Sequence, residues 1–180
     1  MVSKKPKPKI TFPIVAILII TSVFLFHFRI HILSFVLFQS RFRSQERLLC
    51  KTDYKLLLKA CRSLPKPVQS PGRRYYSVKS VSKNPPEGFS REYMKVIFDL
   101  NPTTVFVDER GRIVVDLGNT HWNFGVNAYR EDFNEPFPFF DYGDRELVPG
   151  LWYYDEQYNY DPNFTNKIET MIKKNKYLNK

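Results

Sequence analysis

Cysteine, histidine and glycine are all scarce in this chain, and each scarcity excludes something. Two cysteines in 180 residues cannot make a disulfide scaffold or a four-cysteine zinc module. Seven glycines leave no phosphate-cradling loop: there is no G-x-G-x-x-G and no P-loop, nor any G-x-S-x-G or H-E-x-x-H. The three histidines stand at 27, 31 and 121, so only His121 lies outside the apolar N-terminal region. No acidic residue precedes Glu46, although the chain holds 18 in all.

What is present is unevenly distributed. The 28 Lys and Arg give a net charge of +10 and a pI near 9.6. Residues 1–43 carry +7, residues 44–95 carry +8, and residues 96–180 carry −5. A nucleic-acid binder concentrates positive charge on its folded part. Here the charge crowds the end nearest the most apolar stretch, which favours a membrane as partner over nucleic acid.

That stretch, residues 10–28, reads ITFPIVAILIITSVFLFHF, 19 residues without a charge. As a helix it reaches about 28 Å, close to the roughly 30 Å hydrocarbon core. Pro13 falls in the first turn, where its missing N–H costs little. Apolar residues resume after Arg29, so the helix is expected to continue to about residue 40. A cleaved signal peptide is the rival reading, given the basic residues 1–9. Bulky HFRIHIL then stands where a small-x-small cleavage site belongs, so an uncleaved single-pass signal anchor is preferred. Basic residues flank the span almost equally, which leaves orientation open. Asn163-Phe164-Thr165 is an N-glycosylation acceptor pattern and tilts the reading toward a lumenal or extracellular C-terminal domain.

Residues 46–177 are expected to form one small α+β domain, an antiparallel sheet of three to five strands with flanking helices. Thr52 or Asp53 can cap a helix bearing Tyr54, Leu57, Leu58, Cys61 and Leu64 at helical spacing, and Ser90 can cap a second. The β-branched runs 103–107 and 112–117 enclose Asp108-Glu109-Arg110-Gly111, a hairpin signature. Residues 75–81 and 122–129 read as further strands, and residues 151–154 as a return strand beyond an aromatic loop at 131–150. Residues 163–177 read as a C-terminal helix.

Three constellations could carry function. Residues 133–160 interleave ten aromatics with six acids, a composition suited to a sugar or a cationic ligand; Tyr142, Asp144, Trp152 and Tyr153, with Trp122, are the ligand-binding candidates. Large side chains pinning a long loop explain the same composition. His121 could serve as general base, with Asp116 or Asp141 orienting it, although a locally bonded turn histidine accounts for it equally simply. The Arg73-Arg74-Tyr75-Tyr76-Ser77-Val78-Lys79 run mixes cations and aromatics as lipid and single-strand binders do. His27 and His31 share a helical face, but two histidines do not complete a metal site. Cys50 and Cys61 are too far apart to bridge along one helix.

The sequence thus favours a membrane-anchored, non-catalytic binding or assembly domain without cofactor or metal. Its partners would be the bilayer and a second membrane or lumenal protein. An anchored hydrolase or sugar-modifying enzyme using His121 is the alternative. A juxtamembrane binder of anionic lipid or nucleic acid through residues 73–83 is the third reading.

Overall fold

The computed structural model describes residues 12–65, 72–84, 89–118, 123–132, 144–156 and 161–178. The chain divides into two compact units, residues 1–42 and 43–180.

The described residues of the first unit belong to one element, α1 (Phe12–Lys51). Among the described residues it is the single helix long and apolar enough to cross a membrane. Every side chain from 19 to 38 is exposed, Ile20 and Phe24 by 69% each, so this apolar surface has no protein core to cover it. Three of its polar side chains bond within the helix. Thr21 Oγ1 donates to the Ile17 carbonyl at 2.8 Å, and the Nε2 atoms of His27 and His31 meet at 2.9 Å. Lipid supplies no hydrogen bonds, so polar side chains in an apolar helix are most stable when bonded to the helix itself. The helix continues beyond 40 because the following turns contain neither Gly nor Pro. It ends where Thr52 Oγ1 turns back to the Arg47 carbonyl at 2.9 Å.

The second unit opens with the last turns of α1 and then α2 (Tyr54–Arg62). Asp53 is the cap, its carboxylate accepting from the Lys55 and Leu56 amides at 3.0 and 3.1 Å; such a cap contributes about 1 kcal/mol. Strand β1 (Arg74–Tyr76) follows, then α3 (Val78–Lys83) and α4 (Arg91–Phe98), the latter capped by Ser90. Next come β2 (Thr104–Val107), β3 (Ile113–Asp116) and β4 (Phe124–Ala128). The chain closes with β5 (Arg145–Val148), β6 (Leu151–Asp155) and α5 (Pro162–Lys173). The strands form one antiparallel sheet in the order β1-β2-β3-β4-β6-β5.

The architecture is the expected α+β, but the sheet has six strands where three to five were anticipated. The addition is the edge strand β5. Charged Arg145 and Glu146 mask β5 inside what reads as a loop. In the 75–81 run only the first residues are strand, because Ser77 and Ser80 form a reciprocal capping box that starts α3 instead. The hairpin takes its expected place. Asp108 Oδ1 accepts from the Arg110 and Arg112 amides at 3.0 and 2.9 Å, while Gly111 adopts the left-handed φ of 84° that the turn requires.

Strand alternation sorts the sheet into two faces. Val105, Val115, Val126 and Tyr153 form one cross-strand row, and Val107, Ile113, Ala128 and Leu151 another. All eight are buried, and α2 packs on β4 and β5. The end of α1 joins this inner face. Leu48 and Leu49 are fully buried, and Gln45 Nε2 donates to the Tyr153 hydroxyl at 3.2 Å and to Asp155 Oδ2 at 2.9 Å. The turn after α5 closes the same end through Asn175, whose side-chain amide donates to the Leu49 and Thr52 carbonyls at 2.8 and 3.0 Å. The opposite, outer face carries the rows Phe106–Val114–Asn127–Trp152 and Thr104–Asp116–Gly125–Tyr154.

Candidate functional site

The outer face is concave. A hollow of about 280 Å³ is lined by Phe106 from β2, Val114 and Asp116 from β3, Asn127 from β4 and Tyr154 from β6, with Arg112, Asn123 and Glu156 at strand ends. That is the lower end of the volumes that hold small ligands, and an apolar floor with a few converging polar groups is what such sites share.

At one end the carboxylates gather. Asp116 Oδ1 accepts from the Gly118 amide at 2.8 Å and the carboxyl also accepts from the Tyr154 hydroxyl. The backbone bond from Glu156 N to Asn123 O, 3.2 Å, brings these two strand ends together. Glu156 then accepts from Asn123 Nδ2 at 2.7 Å and from its amide at 3.2 Å. Burial raises the Asp116 pKa; the Gly118 amide and Tyr154 hydroxyl oppose that rise, and the charge of Glu156 adds to it. Burial, reinforced by Asp116, raises the Tyr154 phenol far enough that it stays protonated and donates.

The Tyr154–Asp116 bond crosses a whole strand, because β4 lies between β3 and β6. It is possible because position 125, on the row joining them, has no side chain. A Cβ at Gly125 would stand 2.1 Å from the Val115 carbonyl oxygen and 3.0 Å from the Tyr154 hydroxyl.

The other end is organised by Arg112, four residues along β3 and so about 13 Å from Asp116. Arg112 Nε pairs with Asp108 Oδ2 at 2.9 Å, and both side chains are mostly buried. Asp144 lies within the electrostatic reach of Arg112. Burial nevertheless pushes its pKa up to about 7, against the pull of the guanidinium, and its buried Oδ1 finds no hydrogen-bond partner among the described residues. Phe106 forms the remaining wall, with the Arg73 guanidinium 5.0 Å and the Tyr75 ring 5.6 Å from its centroid.

Of the residues singled out from sequence, Asp116 lines the hollow. Trp152 lies half-buried on the outer row beside Asn127, and Asp144 sits at the Arg112 end. Tyr153 is fully buried on the inner face, where its hydroxyl donates to Asp155 Oδ2 at 2.6 Å. His121, Trp122, Asp141 and Tyr142 lie outside the described residues. Asn163 is exposed in the first turn of α5. Cys50 and Cys61 are free thiols, and complete burial pushes Cys61 up to about 12. No cluster of three metal-ligating side chains occurs among the described residues. Sequence reasoning did not single out Phe106, Arg112, Val114, Asn123, Asn127, Tyr154 or Glu156. The available signal was the alternation Arg112-x-Val114-x-Asp116, which places polar residues in an otherwise apolar strand, and the lone Asn127 in Phe-Gly-Val-Asn-Ala.

Fold and site together define an α+β protein with a long apolar N-terminal helix and an antiparallel sheet packed on its inner face and hollowed on its outer one. The chain matches no family model, no curated protein and no solved structure.

Proposed function

We propose that this chain is a single-pass membrane protein whose C-terminal domain is a non-catalytic binding module, with its ligand site in the hollow on the outer sheet face. The observation that carries the reading is the hollow itself: an apolar floor of Phe106, Val114 and Tyr154, with Asp116, Asn123, Asn127 and Glu156 converging over it. Binding is favoured over turnover because the carboxylates are engaged by neutral donors, the Gly118 amide, the Tyr154 hydroxyl and the Asn123 amide. The anchor reading is supported by the exposed apolar surface from 19 to 38 and by the self-satisfied Thr21 and His27–His31 groups. The exposed acceptor Asn163 supports a lumenal or extracellular domain.

Two experiments test this. Alkaline carbonate should leave the full-length chain in the membrane pellet, and glycosidase should increase its gel mobility; release into the supernatant overturns the anchor. Ligand-observed NMR on the full chain, with a mixed set of sugars, ammonium compounds and carboxylates, should find at least one binder lost in Tyr154→Ala. If none binds in a Tyr154-dependent manner, the binding-module reading fails. The enzyme alternative retains one specific support, the raised pKa of Asp116 inside a concavity. The lipid or nucleic-acid reading retains less. Arg73, Arg74 and Tyr75 are exposed, but Tyr76 is buried and Ser77 begins a helix, so the basic-aromatic strand is only three residues long.

A further inference from the structure

Taking the outer-face hollow as a ligand site, the geometry points to a small organic cation, an ammonium group seated between Asp116 and Glu156 against the Tyr154 ring, as its occupant. The inference rests on that reading and adds the chemical class.

The argument begins with charge. Two carboxylates line one end of the hollow, and the donors holding them are neutral: a backbone amide, a phenol and a side-chain amide. Among the described residues of the lining, neither is paired with a cation. The single cation among the described residues of the lining, Arg112, lies at the far end and is paired with Asp108 at 2.9 Å. The Glu156 charge adds to the burial that disfavours ionised Asp116. A ligand cation between them relieves that repulsion, while an anion adds to it and a neutral ligand leaves it in place.

The second strand of the argument is the wall material. Tyr154 and Phe106 face the same hollow, and aromatic rings attract cations most strongly where water is excluded. Phe106 already holds one cation over its ring, the Arg73 guanidinium at 5.0 Å. Rings and carboxylates together recognise an ammonium group carrying apolar substituents, which would contact Val114 and the rings. The volume of about 280 Å³ limits the ligand to a small one.

Binding should weaken in acid, because a protonated Asp116 no longer offers its charge. The groups facing Asp116 are Tyr154 from β6, Glu156 just beyond that strand and the Gly118 amide beyond its own strand; its neighbours Thr104 on β2 and Gly125 on β4 carry no charge.

Choline and its uncharged isostere 3,3-dimethylbutan-1-ol provide the test, with methyl glucoside as a third probe. Titration calorimetry would use the full chain in an oligo-oxyethylene detergent, which carries neither sugar nor ammonium. Choline should bind at least about tenfold tighter than the isostere at pH 7.5. Asp116→Asn and, separately, Glu156→Gln should each remove most of that preference, lowering choline affinity more than affinity for the isostere. Lowering the pH to 5 should weaken choline binding alone. Equal affinity for choline and the isostere, or binding of methyl glucoside without choline, overturns the cation inference and leaves the binding site standing. If none of the three binds and the mixed ligand set also finds no Tyr154-dependent binder, both fail together.

Discussion

Asp144 shows how one residue can couple stability to pH. Its carboxyl lies half-buried with an unpartnered oxygen, and burial outweighs Arg112 to push its pKa up to about 7. In the unfolded chain the value is about 3.9. The native state therefore binds this proton more tightly, and between those two values stability falls as pH rises. Asp144→Asn removes the group that must ionise. The variant should show a flatter dependence of the urea midpoint on pH between 4 and 7, and should equal or exceed the parent above pH 7. An unchanged slope would show that Asp144 ionises freely in the folded protein. Tyr153 and Tyr154 teach a different lesson at the same scale. Both belong to the aromatic-acidic stretch visible in sequence, yet successive strand residues face opposite ways. Tyr153 donates to Asp155 in the core, while Tyr154 reaches Asp116 in the hollow. Composition identified the neighbourhood; only the phase of the strand divides it into core and site.

Among the elements, β4 is the one on which the site depends. It separates the two strands that carry Asp116 and Tyr154, and Gly125 is the gap through which their side chains meet. Gly125→Ala places a methyl group 2.1 Å from a backbone carbonyl oxygen, which no rotamer change can relieve. The strand must shift, at a cost of about 1–3 kcal/mol. Chemical denaturation should show that loss, together with weaker binding in the hollow, and a loss below about 0.5 kcal/mol would mean the strand yields freely. Element legibility followed hydrophobic pattern. The β2–β3 hairpin combines β-branched runs with a Gly-containing turn and was readable; α2 and α4 announced themselves by Asp53 and Ser90. Edge strand β5 did not, because an edge needs little apolar surface and is favoured by charge, here Arg145 and Glu146, and the strand expected at 75–81 is cut to Arg74–Tyr76 by the helix that Ser77 caps.

At the scale of the whole molecule, α1 serves two units. Its residues 19–38 are exposed and apolar, whereas Gln45, Leu48 and Leu49 belong to the core of the second unit. Residues 43–180 should therefore fold without the apolar segment and unfold cooperatively, as followed by circular dichroism. A chain beginning at residue 52 should lose that transition, because it forfeits two fully buried leucines, each worth about 2–5 kcal/mol, and the Gln45 bonds to Tyr153 and Asp155. Cooperative unfolding of the shorter chain would show that these turns are dispensable. The sequence by itself determined the apolar helix, the charge asymmetry, the α+β class and the central hairpin. All of these are local: they depend on composition and periodicity within a few turns or strands. The hollow was decided by tertiary structure alone. Asp116, Asn123 and Glu156 span 40 positions of sequence and meet through strand register, and their contact with Tyr154 depends on an absent side chain in an intervening strand. Register and strand order are properties of the assembled sheet, so no local pattern encodes which polar residues will converge.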